Sequence, residues 1–176
     1  MAVLTCPHPA NINPLRTNGF NLSIQKIPEV TFFCQSAGIP QVSFGETHQA
    51  NPFIDVKMPG DKLEYSPLSI RFMIDEEMKN YLSILNWMNG MGFPTSNDEY
   101  IEFIAAQQRN MSESQKMVSD GTLTILGNNY VPIRTVRFID LFPVSLSTSD
   151  EFQSTNTDAQ VMTGLSSFLF SHFIFE

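Results

Sequence analysis

Asp75-Glu76-Glu77 is the one run of three consecutive acids in the 176-residue chain, and so the first place to look for acid–base chemistry. A catalytic carboxyl needs a shifted pKa and a partner group that exchanges the proton. The neighbouring residues suggest neither. Upstream, "PLSIRFMI" alternates, with Leu68, Ile70, Phe72 and Ile74 on one face of a strand. Downstream, Met78, Tyr81, Leu82, Leu85 and Met88 recur at helical spacing. Asp75 therefore reads as an N-cap. Glu76 and Glu77 fall in a first helical turn, where the macrodipole favours each by ~0.3–1 kcal/mol. The acids start a helix that Gly90 and Gly92 should end.

The other reactive side chains are dispersed. His8, His48 and His172 are far apart, and only His8 has a cysteine, Cys6, nearby. Metal sites usually combine a close ligand pair with a distant one, so no metal is expected. Gly90 and Gly92 follow a helix rather than a strand, the wrong context for a phosphate loop. No nucleophile elbow or Cys/His arrangement occurs. Cys6 and Cys34 are too few for a disulfide scaffold and read as reduced thiols, with a bridge within or between subunits as the alternative. The expectation is a protein without catalytic residues or cofactor.

The bulk composition points toward assembly. Charged residues make up 16% of the chain, against about 25% in ordinary globular proteins. A surface so low in charge suggests that partner subunits cover part of it. The net charge is −8, and Phe138 to Glu176 contains no Lys or Arg. Tight nucleic-acid binding needs several cations on one face, so DNA passing nearby should be repelled. The N-terminus does not read as a signal peptide, and no apolar run reaches the ~18 residues of a membrane span, so no membrane anchor is expected.

These features require elements to hold them. Residues 1–18 read as an irregular arm. "FNLSIQK" alternates as a half-buried strand, with Phe20, Leu22 and Ile24 inward and Asn21, Ser23 and Gln25 outward. Lys26 to Glu29 reads as a turn, and "VTFFCQ" (30–35) as the second strand of a hairpin. Residues 36–62, with strand-like pieces at Gln41–Phe44 and Phe53–Lys57, read as an extended arm or hairpin; so long a connection usually carries function. Ser96-Asn97-Asp98-Glu99 resembles a capping box opening a second helix to about Gln108. Residues 122–126 and 132–140 read as strands around Gly127-Asn128-Asn129. Leu141 to Ser147 reads as a bend or edge segment, residues 148–158 as a polar loop, and "AQVMTGLSSFLFSHFIF" as one long apolar strand. The fold expected is mainly β with one main helix, a single α+β domain over 1–176 built as an antiparallel sandwich or barrel.

Three blocks, in order, carry a resemblance. They are "NPLRTNGFNLSIQKIPEVTFFCQSAGIP", "PGDKLEYSPLSIRFMIDEEMKNYLSILNWM" and "TVRFIDLFPVSLSTSDEFQSTNTDAQVMTGLSSFLFSHFIF". The chain resembles the tail tube proteins of contractile-tailed bacteriophages; residues 93–121 depart from the pattern. The resemblance implies a hexameric ring whose sheets join into one inner barrel, with the helix outside. Rings stack into the conduit for phage DNA during genome ejection, in contact with sheath, baseplate and tail-terminator proteins, as part of the virion. It makes the loop 36–62 and the arm 1–18 the inter-ring contacts, with Ile39, Pro40, Phe44, Pro52, Phe53, Pro59, Gly60 and Asp61 as interface candidates. Asn21, Ser23 and Gln25 become lumen candidates. A tube subunit is the first expectation and a baseplate tube initiator the second. A monomeric β-barrel around a small ligand is the competing class.

Overall fold

A computed structural model describes residues 12–92, 94, 97–106, 117–154 and 160–176. The strands are β1 (Phe20–Ile24), β2 (Cys34–Ala37), β3 (Val42–Gln49), β4 (Val56–Tyr65), β5 (Leu68–Met73), β6 (Ser119–Leu126), β7 (Pro132–Thr148), β8 (Thr163–Leu169) and β9 (His172–Phe175). The helices are α1 (Pro28–Phe33), α2 (Lys79–Gly92) and α3 (Asn97–Ala106). Every strand pairing is antiparallel.

β7 organises the molecule. Its first part lies between β6 and β9, and its last part pairs with β8. The strand order is β1-β6-β7-β8-β5-β2, with β9 attached to β7. Asp140 marks the passage between the two parts, at a φ of 56° that is unusual for a non-glycine residue. Ser171, between β8 and β9, holds this corner: its hydroxyl donates to Asp140 Oδ2 at 3.0 Å and its amide to Ile139 O at 2.9 Å. The expected bend at Leu141–Ser147 is thus a continuing strand, and the turn in direction comes just before it. The expected single C-terminal strand is two strands, because the chain breaks pairing at Phe170–Ser171 to return along β7.

The core lies where the inward faces meet. Leu22, Ile24, Leu68, Ile70, Phe72, Leu123, Val136, Phe138, Leu141 and Phe168 are all buried, and Ile84 and Trp87 of α2 close over them. The alternation expected for residues 20–24 and 68–74 is present: Asn21 and Ser23 are exposed, between half-buried Phe20 and buried Leu22 and Ile24.

Two further elements differ from expectation. Residues 30–33 are helical, although Val30, Thr31 and Phe32 favour strands. Pro28 stands in the first turn, where a fixed φ and a missing N–H cost nothing, and Ile27 and Val30 bury against the core. Tertiary burial overrides propensity, and β1 pairs with β6 instead of with this segment. In α2 the buried stripe is Asn80, Ile84, Trp87 and Gly90, rotated from the expected one, and Leu82 is exposed. Gly90 does not stop the helix. A Cβ there would lie 2.6 Å from the Phe103 ring, so this glycine lets α3 approach α2.

Candidate assembly surface

The acid run forms a turn that holds the helix start. The Met78 amide donates to Asp75 O at 2.9 Å, and Met78 takes a positive φ of 54°. The Asn80 amide donates to Asp75 Oδ1 at 3.3 Å, so Asp75 does cap the helix, from further upstream than an adjacent N-cap. Asn80 is buried, and its side-chain amide donates to Met73 O at 2.7 Å, tying the helix to the end of β5. Glu76 and Glu77 are exposed, and Glu77 pairs with Lys79. These acids are structural.

On α2, Trp87 donates from Nε1 to Met117 O at 2.8 Å and packs 6.3 Å from the Phe168 ring. The Lys26 ammonium lies 5.1 Å from the Trp87 and the Phe103 ring centroids. The ring faces attract the cation, but burial wins and pushes its pKa from 10.5 to about 8. Burial also pushes the Cys34 thiol up to about 11, which leaves it protonated and unreactive at neutral pH. Cys6 and His8 lie outside the described residues. Among the described residues no three His, Cys, Asp or Glu side chains group as metal ligands, and no helix is long and apolar enough to cross a membrane.

The surface features suited to assembly lie elsewhere. β3 and β4 form a separate two-stranded hairpin that projects from the main sheets. It exposes Val42, Phe44, Val56, Met58 and Leu63, each about half accessible, and Phe53 at its turn is 95% accessible. Its distal half also carries Glu46, 3.2 Å from Lys57 Nζ and 3.5 Å from His48 Nε2. Gly45 and Gly60 meet at a break in register, where a Cβ on Gly60 would lie 2.6 Å from Gly45 O. Of the sequence candidates, Ile39, Phe44, Pro52, Phe53, Pro59 and Asp61 are exposed, Gly60 is half-buried, and Pro40 is buried at the hairpin foot.

The second feature is the outward side of β1, β6 and β7. Asn21 pairs with Thr124 and Ser23 with Thr122; those threonines pair with Thr135 and Arg137. The result is a hydroxyl-rich strip whose Arg137 is bonded to Asp120 at 3.0 Å. Gln25, exposed just beyond β1, donates its amide to Asp120 O. The third feature is the set of open edges. Among the described residues β1 pairs only with β6, β2 only with β5, and β9 only with β7. Open edges present unpaired backbone groups to any neighbouring chain. The sequence reading missed the β9 edge because it merged β9 with β8.

The family model for phage tail tube protein matches residues 3–176. The chain belongs to the phage tail tube protein family. The tail tube terminator protein of Enterobacteria phage T4 is 33% identical over 84 residues, or 44% of this chain and 48% of that protein. The match thus spans about half the length of that relative. Among solved structures, the fold is similar to the sheath/tube terminator of the PVC extracellular contractile injection system (TM-score 0.55, 19% identity, 95% of this chain and 99% of that one). It is also similar to the tube-terminating cap of the anti-feeding prophage (TM-score 0.56, 16% identity, 99% of both chains) and to a chain of its baseplate (TM-score 0.56, 10% identity, 94% and 97%). At these identities the likeness speaks to fold, and it agrees with the mainly β, antiparallel architecture expected of this tail tube protein.

Proposed function

We propose that this tail tube family member is a tube terminator, the ring that ends the tube, rather than the repeating subunit or the baseplate initiator. The observation that carries this reading is the 33% identity over 84 residues with a tail tube terminator protein. The repeating subunit was the first expectation from sequence, and the relative shifts the preference.

The rest of the proposal follows the surface. Copies join into a hexameric ring through open sheet edges, since an antiparallel ladder continues wherever another strand can add. A head-to-tail contact closes when its rotation completes the ring. The apolar hairpin, through Ile39, Phe44, Pro52, Phe53, Pro59, Gly60 and Asp61, meets the neighbouring ring, and the sheath packs outside. Asn21, Ser23 and Gln25, with the adjoining threonines, face a lumen through which DNA moves without adhering. The net charge of −8 suits that sliding contact. The protein has no catalytic role; it acts within the virion, assembled in the host cytoplasm.

Quantitative mass spectrometry and gold labelling of purified virions test the assignment. A terminator gives one ring's worth of copies, labelled at the tube end remote from the baseplate. Label along the whole tube would assign it as the repeating subunit, and label at the baseplate as the initiator.

A further inference from the structure

The hairpin shares no backbone ladder with the main sheets, so something else must set its direction. Tyr65, the last residue of β4, supplies the contact. Its ring centroid lies 5.8 Å from Phe170 and 5.4 Å from Phe173, the latter pair edge-on. Phe173 belongs to β9, opposite Phe138 of β7. Phe138, Phe170 and Phe173 pack on one another at 5.1 to 6.0 Å, and Phe175 joins at 5.7 Å from Phe173. One hairpin ring thus enters a cluster supplied by β7, the β8–β9 corner and the chain's last strand. Aromatic pairs at such separations and tilts are favourable and directional.

We propose that Tyr65 is a positioning residue that seats the hairpin on the C-terminal strand β9, so that the last residues of the chain set the direction in which the hairpin projects. The proximal half, Val42–Phe44 paired with Leu63–Tyr65, is held by that seat. The distal half continues beyond the Gly45–Gly60 register break. What the hairpin then touches rests on the ring reading above; the seat itself is a property of one subunit.

Spin labels at Asn51→Cys in the hairpin turn and Asn128→Cys in the β6–β7 turn, with Cys6 and Cys34 replaced by alanine, report the hairpin direction by pulsed electron resonance on dispersed subunits. The parent should give one narrow distance distribution. Tyr65→Phe should keep it, because the ring is retained. Tyr65→Ala and Phe173→Ala should broaden it roughly twofold or more, as a local contact is lost while the fold persists. Trp87 fluorescence monitors the fold. An unchanged width in Tyr65→Ala would overturn the seat, as would equal broadening in Tyr65→Phe. Unfolding of Tyr65→Ala would overturn it too, by making Tyr65 a core residue. If Phe173→Ala unfolds, the two Tyr65 variants decide. Electron microscopy of the same proteins scores rings separately, so failure of the seat is distinguishable from failure of the ring.

Discussion

Gly45 and Gly60 face each other across the hairpin, yet the structure gives them unequal tolerance. A Cβ on Gly60 would meet the backbone of Gly45 at 2.6 Å, whereas one on Gly45 would sit 3.5 Å from Lys62 O, an ordinary contact. Gly60→Ala should therefore cost about 1–3 kcal/mol of local stability by overpacking, and Gly45→Ala much less. Amide hydrogen exchange in β3 and β4 checks this; equal exchange in both variants would refute the asymmetry. Trp87 is 3% accessible and hydrogen-bonded, so Trp87→Ala should cost about 3–5 kcal/mol. An unchanged melting temperature of the dispersed subunit would contradict that. Lys26 gives a pH dependence. Folded, it loses its proton near pH 8; unfolded, it keeps it to 10.5. Between those values the unfolded chain binds more protons, so this residue's unfavourable contribution is full below about 8 and fades as pH rises to 10.5. Urea midpoints measured over that window should rise with pH in the parent relative to Lys26→Gln. Parallel curves would show that burial does not govern the ammonium.

At the scale of elements, the hairpin is the most separable part. Its described strand residues, Pro59 included, are mostly exposed, and it contributes none of the buried core side chains. Deleting residues 46–56 should leave a subunit with unchanged Trp87 emission that no longer stacks on the neighbouring ring of the tube. Normal stacking by the deleted protein would remove the hairpin from the assembly surface. From sequence this segment reads as an extended arm or hairpin with strand-like pieces at Gln41–Phe44 and Phe53–Lys57, short of the full β3 and β4, because its strands do not alternate: both faces meet solvent, and period-2 patterning records burial on one face. β1 and β5 were legible for the opposite reason. α1 was not, since Val30, Thr31 and Phe32 favour strand locally and only packing on the core makes them helical. The turn of β7 at Asp140 was equally hidden: an aspartate at positive φ leaves no pattern in its neighbours. Of the candidate site, the outward Asn21 and Ser23 could be read from alternation, whereas the hairpin residues came from the length of their connection and the family resemblance. The Tyr65 contact and the β9 edge depend on strand placement that no local pattern encodes.

At the scale of the whole molecule, charge and assembly oppose each other. Each subunit carries −8, so bringing copies into a ring concentrates like charge around a narrow axis. In the proposed ring, the contact that favours closure, the joining of open sheet edges, is short-ranged and little affected by ions. The repulsion is long-ranged and is screened over about 30 Å at 0.01 M salt but about 10 Å at 0.1 M. Ring formation by this protein should therefore increase with ionic strength between those two conditions. Sedimentation velocity at fixed protein concentration measures it, with a shift of mass from subunit to ring as salt rises. A decrease with salt would mean that ion pairs between subunits hold the ring together. The exposed Glu46, His48 and Lys57 group on the hairpin would then be the first contact to neutralise. If salt has no effect, the acids lie too far apart in the assembly to interact, and the hydroxyl-rich strip of β1, β6 and β7 would be the better candidate for the lining of the axis, since it places its one exposed cation, Arg137, beside Asp120.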